Sequence, residues 1–583
     1  MADTTLNTIR QSQSRDDIRV TLPGAVIYGA SLGTTVGQLL QADQSQNPTN
    51  YDSPIMGGIV NGKLRELAYP VMGDATLAPV LLSSSDGGRI YRRSLVLLLT
   101  TAVDELFPGV KVGVRYAVPE GGFYCVLRNR EPFSADELVR LSSHMRAIID
   151  ADEPIHKQLV PLDEALKIFE ARKADDKLRL LAQRDRDELV LYRLRQRTDY
   201  YYGYMLPSTG ALNAFHLVHA RQGFILQYPR SNHPKAIQTV NPDSKLTAVF
   251  READEWLGLM GVEDMGRLNT IVQDRRAQEL ILVAEALHEQ RVAYIAGEIC
   301  ERHKSDGVRI VLIAGPSSSG KTTFSKRLAI QLLAHGITPF TLELDNYFVD
   351  RELTPRDSDG EYDFEALGAL NIDLFNEHLI QLTRGDEVTL PKFNFITGKR
   401  EEGRTVTIDP NCVVIIEGIH GLNPNLVPQI SPETIHRVYV SALTQLNVDA
   451  HNRVPTTDVR LLRRIVRDAR NRGYSATDTL QRWPSVRRGE KRNIFPYQEN
   501  ADIMFNSALV YELAALRPFA EPLLLQVAQN TPPHIEANRL LSFLRWVHPL
   551  DTIQLETIPD TSLLREFIGG SSLDNYHPRR LGK

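Results

Sequence analysis

Val308-Arg309-Ile310-Val311-Leu312-Ile313-Ala314-Gly315-Pro316-Ser317-Ser318-Ser319-Gly320-Lys321-Thr322-Thr323 decides the fold of the C-terminal half. Gly315 to Thr322 fits G-x-x-x-x-G-K-[ST], a loop whose backbone amides turn inward around phosphate. Gly315 and Gly320 permit backbone angles that a side chain forbids. An ordinary Gly/Ser turn would also read this way, but the context separates the two. An apolar strand-like run precedes the loop, and the amphipathic residues Phe324, Leu328, Ile330, Leu332 and Leu333 follow it. The helix expected from Lys321 onward adds the positive end of its dipole. Gly315, Pro316, Ser317, Ser318, Ser319, Gly320, Lys321, Thr322 and Thr323 are therefore the expected nucleotide-binding set. Lys321 reaches the β/γ-phosphates, and Thr322 supplies a hydroxyl to Mg²⁺.

The chain has 583 residues, too many for one core, and roughly three to four domains is the expectation. Its net charge of −5 and 42% hydrophobic content argue against wholesale nucleic-acid binding. Cys125, Cys300 and Cys412 are far apart, which excludes a disulfide framework or a CxxC metal site and fits a reducing compartment. Met1–Asp17 is polar and rich in Gln and Ser, a disordered tail rather than a secretory signal. The longest near-continuous apolar run, Ser94–Val103, is about half a membrane span. A cytoplasmic protein without membrane contact is expected.

After the tail, 1–17, residues 18–82 read as a small α+β module, with strand-like Ile18–Leu22 and Gly58–Val60 and a helix near Val36–Gln41. Residues 83–262 contain an amphipathic helix, Ser94–Leu106, and strands near Val110–Ala117 and Gly122–Leu127. The charged stretch Leu162–Arg195 reads as a solvated helix or helix pair. Residues 263–305 carry one apolar stripe at helical spacing and form a connecting helix. In 306–510, Val308–Ala314, Thr338–Leu344, Val413–Ile416, Arg437–Val440 and Ile503–Phe505 are strands separated by helical patterns, as in a doubly wound, mainly parallel α/β sheet. Residues 511–583 form a helical tail packing on that domain.

Three clusters turn nucleotide binding into phosphoryl transfer. Asp345 follows the strand-like run Thr341–Leu344, where a carboxylate could take a proton from an attacking hydroxyl; its plainer reading is a turn or cap residue. Val413–Ile416 ends in Glu417, an acid placed to hold Mg²⁺ or its waters. Between Arg460 and Arg492 the cations Arg460, Arg463, Arg464, Arg467, Arg470, Arg472, Arg482, Arg487, Arg488, Lys491 and Arg492 face only Asp468, Asp478 and Glu490. A solvated helix face is the usual account of charged runs, but this imbalance fits an arginine lid over transferring phosphate.

The blocks GPSSSGKTT, LDNYF, EYDF, PKFNF, IIEGIHGL, RLLRRIVRDARNRG and ADIMFNSA occur in the order found in the uridine kinase and phosphoribulokinase family, which residues 306–510 resemble. The resemblance implies Asp345 as general base, Lys321 and Thr322 as ligands of ATP and Mg²⁺, and Glu417 as an aid to the metal. It makes Arg463, Arg464, Arg467 and Arg472 lid residues, with Tyr347, Phe393, Arg400 and Arg460 toward the acceptor. The acceptor blocks depart from the family pattern. An acid that grips ribose hydroxyls is matched by Gly368, while a Tyr-Asp pair and a later His are matched by Phe393, Asn394 and Gly398. Loss of such polar partners removes discrimination.

Residues 18–82 resemble a TGS domain, through VTLPGAVIYG, GTTVGQLL and GGIVNGKLREL. Residues 83–262 resemble the editing-type second domain of threonyl-tRNA synthetase, through RRSLVLLLTTAVDELFPGVKVG, EGGFYCVL and LVLYRLRQRTDYYYGYMLP. The editing site of that family uses two His, a Cys and a later His; the matching positions are Arg93, Leu97, Tyr201 and Met205. Retention of the fold without deacylase chemistry is expected. His216, His219 and His233 are spaced too loosely for a metal site. The whole layout resembles bacterial fused uridine kinase/threonyl-tRNA-synthetase-like nucleoside kinases. It implies an ATP- and Mg²⁺-dependent kinase of a small hydroxylated acceptor, a nucleoside first. A non-nucleoside sugar or sugar phosphate, or an ATP-gated regulator touching RNA through the N-terminal half, are the other readings; an oligomer is compatible with each. The tail block Ser562–Ser572 offers only a helix stop at Gly569-Gly570.

Overall fold

Five short aliphatic runs build the sheet that organises the C-terminal half. In the computed structural model they are β1 (Ile310–Ala314), β2 (Pro339–Glu343), β3 (Val413–Glu417), β4 (Ile435–Ser441) and β5 (Ile503–Asn506). The structure describes residues 16–577 except 183, 185, 186, 243, 357–359, 361, 395, 396, 410 and 445. The expected tail thus falls almost wholly outside the described residues, as do Glu361 and Phe395; Asp17 already opens a strand.

Contacts divide the chain into two units: Met1–Val240 with Ala450–Asn452 and Gln529–Ile535, and Asn241–Asp449 with Arg453–Ala528 and Glu536–Lys583. In the second unit the strand order is β2-β3-β1-β4-β5, every neighbouring pair parallel. β1 is buried along its whole length, as a central parallel strand covered on both faces must be. Glu417 of β3 is level with Ile313 of β1 and with Glu343 of β2. The three strands therefore end side by side, and the segments leaving them meet at one edge, the usual ligand edge of such a sheet. On one side Leu312, Val414, Ile416, Phe375 and Leu379 share a core.

Helix α1 (Lys321–Ala334) follows the phosphate loop. The cationic run forms two helices, α2 (Thr456–Asn471) and α3 (Ala476–Asn493), the latter started by a Ser475/Asp478 capping box. An antiparallel hairpin, Val388–Asn394 with Lys399–Val406, lies outside the main sheet. The connecting segment is two helices, Met265–Gln273 and Ala277–Ser305, broken at Arg275 with φ 58°. The tail is helical at Glu512–Leu525, Pro532–Leu544, Thr552–Glu556 and α4 (Arg565–Ile568), although Gln529–Ile535 groups with the first unit.

The first unit starts with a five-stranded sheet in the order Val26–Ser31, Asp17–Leu22, Ala75–Leu81, Ile55–Val60, Lys63–Arg65 and a helix, Val36–Gln46. Further on, the long helix Ser85–Leu106 is buried over most of its length. A four-stranded antiparallel sheet and a three-stranded one share the same part of the chain. The charged stretch Leu162–Arg195 is only partly helical: Leu162–Ala171 and Asp175–Leu181 are helices, but Glu188–Leu194 is a strand. Buried Leu189, Leu191 and Leu194 punctuate that strand, a near-alternation that the flanking charges obscure.

Candidate active site

The loop leaving β1 has the shape its glycines require. A Cβ on Gly315 would run into the carbonyl oxygen of Val440, and Gly320 takes φ 83° at the start of α1. Ser318 also adopts a left-handed angle, φ 58°. Ser319 N–H donates to the Pro316 carbonyl at 3.2 Å, and Lys321 Nζ rests on the same oxygen at 3.3 Å. The hydroxyls of Ser318 and Ser319 are buried with no hydrogen-bond partner. A buried donor left unpaired costs free energy, so this cradle has unmet capacity that phosphate oxygens would satisfy.

Glu417, at the end of β3, accepts a hydrogen bond from Thr322 Oγ1 at 2.8 Å. Burial pushes its carboxyl up to about 7, against Lys321 and the Thr322 hydrogen bond, while Glu566 and Asp345 add negative potential. The two oxygens suit Mg²⁺, which takes few protein ligands and fills its octahedron with phosphate and water. Among the described residues no cluster of three or more His, Cys, Asp or Glu is placed to hold a metal ion. Asp345 sits in a 3₁₀ turn, Leu344–Tyr347, directly beyond β2. Surrounding protein raises its pKa, with Lys321 and Arg472 opposing and Glu343 reinforcing. The side chain is nonetheless exposed, so solvent limits that rise. Phosphate loop, acid and metal-type carboxylate thus leave three adjacent strands at one level.

The arginines divide into two groups, which corrects the single-lid expectation. Arg460 and Arg463 are fully buried. Arg460 forks onto Glu490 at 2.5 and 2.9 Å and donates to the Ser317 carbonyl at 3.1 Å. Arg463 pairs with Glu512 at 2.5 Å and reaches the Ser507 carbonyl at 2.8 Å. Both brace the loop through committed ion pairs, so neither is available to close over a phosphate or meet an acceptor. Arg464, Arg467 and Arg472 are different. They gather around one buried carboxylate, Asp468, at 3.1, 3.1 and 3.4 Å, and Arg464 also donates to Ser317 Oγ at 2.7 Å. Arg472 is half exposed, and its charge is felt at Asp345. Asp468 and Glu490 were counted in the sequence only as acids among the cations, and their pairing with these arginines was missed; the i, i+4 spacing of Arg464 and Asp468 was the available signal.

The acceptor residues fare unevenly. Tyr347 is a core residue, packed edge-on against Phe375 with its hydroxyl 3.2 Å from His378 Nδ1, and it cannot line an acceptor site. Phe393 is buried against Phe348. Arg400 is exposed on the hairpin, where its N–H donates to Asp350. Gly398 has φ 70°, and a Cβ there would strike the side chain of Arg351. Glu365, three residues before Gly368, was not anticipated. Burial and Glu490 push its carboxyl up to about 7, against Arg464 and Lys321.

In the first unit, Leu97, Tyr201 and Met205 are buried in the core, and Arg93 stacks over Tyr202 with its guanidinium against Gly203. Beside them Asp199 pairs with Arg197 at 2.7 Å, Lys177 at 3.0 Å and His451 at 3.2 Å. Burial opposes the Asp199 charge, but Lys177, Arg197 and His451 hold it well below the usual carboxylate range. His216 and His219 lie three apart on the strand His216–Ala220 and so face opposite sides.

Residues 310–514 match the model of the Phosphoribulokinase / Uridine kinase family. This half carries a small-molecule kinase domain of that family. The family uses ATP and Mg²⁺ in general. The kinase domain is similar in structure to a possible uridine kinase from Bacillus stearothermophilus (TM-score 0.21, 20% identity, 34% of this chain and 88% of that one). It is also similar to D-glycerate 3-kinase from Cryptococcus neoformans var. grubii (TM-score 0.26, 17% identity, 36% of this chain and 90% of that one). The N-terminal region matches threonyl-tRNA synthetases and resembles their editing domain. The threonine–tRNA ligase of Polynucleobacter necessarius subsp. necessarius (strain STIR1) is 35% identical over 164 residues, 28% of this chain and 26% of that one. That of Polaromonas naphthalenivorans (strain CJ2) is 30% identical over 202 residues, 34% of this chain and 31% of that one. The chain therefore spans about a quarter to a third of the length of these curated relatives. Among the described residues no helix is long and apolar enough to cross a membrane.

Proposed function

We propose that the chain is an ATP- and Mg²⁺-dependent kinase that phosphorylates a hydroxyl of a small acceptor, with a nucleoside as the leading class. The reading rests on one observation: Asp345, Glu417 and the phosphate loop leave adjacent strands at one level, with Thr322 hydrogen-bonded to Glu417. ATP would supply the phosphoryl group and Mg²⁺ would neutralise its charge. The amides and hydroxyls of Gly315–Thr323 and the Lys321 ammonium orient the phosphate chain. Asp345 takes the proton of the acceptor hydroxyl as the hydroxyl oxygen attacks the γ-phosphorus; the bond from that phosphorus to the bridging oxygen breaks, and ADP leaves. Arg464, Arg467 and Arg472, ordered by Asp468, offset charge on the group in flight.

Asp345→Asn should spare ATP binding and slow transfer by about 10²–10⁴-fold. Lys321→Ala should weaken ATP binding and abolish turnover. A screen of nucleosides and pentose phosphates with the full chain measures both, and unchanged transfer by Asp345→Asn would remove the base assignment. One observation favours a second acceptor class. Arg351 fills the space over Gly398, and a cation there suits a sugar phosphate better than a neutral base. The first unit is read as having no deacylase chemistry, because Leu97, Tyr201 and Met205 offer hydrocarbon or an inert phenol where a polar site needs donors and ligands.

A further inference from the structure

Ser562–Ser572, for which the sequence offers only a helix stop, lies with Leu573 and Asp574 along the phosphate loop and α1. Ser562 Oγ donates to Glu285 at 2.5 Å, and α4 begins three residues later. Arg470 of α2 donates to the Ile568 carbonyl at 2.8 Å, and Gly569 and Gly570 then turn the chain with φ 89° and 76°. Lys326 of α1 holds the far end through the carbonyls of Leu573 at 2.6 Å and Asp574 at 2.9 Å. Phe567 lies 5.0 Å from the Arg463 guanidinium. Between these anchors Leu563 covers Gly320 so closely that a Cβ on that glycine would strike it. Glu566 sets its carboxylate on the first turn of α1, accepting from Thr323 Oγ1 at 2.8 Å and from Thr323 N–H at 3.4 Å.

Thr323 N–H is one of the unpaired amides that open a helix, and with its hydroxyl it is a donor pair suited to a phosphate oxygen. An internal anion already occupies that pair. We propose that Ser562–Asp574 is a strap that gates the nucleotide site, with Glu566 competing for donors that the phosphate chain of ATP would take. The idea rests on the nucleotide reading above. Glu566 must swing off Thr323 for the phosphates to seat, while the backbone anchors at Lys326 and Arg470 keep the strap in place. Apparent affinity is then scaled by the fraction of molecules in which the Glu566 carboxylate has left Thr323.

The test is titration of the full chain with Mg–ATP, followed calorimetrically, for the parent, Glu566→Gln and Glu566→Ala, with a thermal melt for each. Removing the charge should tighten binding about tenfold, as expected if Glu566 rests on Thr323 in about nine-tenths of unliganded molecules. The glutamine variant keeps the shape if alanine loosens the fold. Unchanged or weaker binding by a variant that melts like the parent overturns the gate, while the parent's own binding preserves the kinase reading. Absence of binding in all three folded proteins overturns both.

Discussion

Glu490→Gln keeps the shape of a side chain that is 1% exposed and removes only its charge. The carboxylate takes two hydrogen bonds from Arg460, one from Arg487 at 2.7 Å, and one from the Ser317 amide at 3.0 Å. Burial pushes its pKa up, but Arg460 and Arg487 outweigh that and keep it below the usual range. In the variant Arg460, itself 1% exposed, loses its counter-ion. Breaking a buried pair from one side costs about 3–5 kcal/mol. At about 1.4 °C per kcal/mol for a unit of about 330 residues, the second unit should melt about 4–7 °C lower. Replacing both partners by hydrocarbon, Arg460→Met with Glu490→Leu, should recover most of that loss. Nucleotide binding should still be weakened, because the Ser317 amide loses its acceptor and the loop its brace. Circular-dichroism melts and Mg–ATP titrations of the three proteins measure both effects. A single variant melting within about 1 °C of the parent, far less than the pair should be worth, would refute the reasoning.

Asp468→Asn leaves Arg464, Arg467 and Arg472 without their shared anion, so turnover should fall by about 10–10²-fold while the KM for ATP changes little; equal turnover by steady-state assay would show that Asp468 does not order them. Glu417 and Glu365 are both pushed up to about 7 from an ordinary 4.5, so each binds its proton more tightly folded than unfolded. Their contribution to stability is full below about 4.5 and is lost as pH rises through about 7. Without nucleotide, the parent's denaturation free energy should therefore fall across that window more than that of Glu417→Gln/Glu365→Gln. Parallel curves for the two proteins count against the shifted carboxyls.

The sheet strands and the loop after β1 were legible because a buried parallel strand is a run of aliphatic residues and a phosphate cradle needs glycine at fixed positions. Asp345 and Glu417 stood out as candidates because each follows such a run. What local pattern did not reveal was the partnership of charges. Arg460 and Arg463 look like Arg464 and Arg467 in sequence, yet Glu490 and Glu512, 30 and 49 positions away, take the first two into the interior. The family resemblance put Tyr347 toward the acceptor, but the 3₁₀ turn sends it into the core against Phe375. The strand Glu188–Leu194 was hidden by charges on its open face. Glu566 lies 243 residues from Thr323, a distance over which no local pattern speaks.

Leu97 and Met205 fill the core of the first unit with apolar side chains, and Tyr201 with a phenol ring. An imidazole placed at position 97 alone would be stranded inside a closed helix core, costing about 1–3 kcal/mol with no partner to offset it.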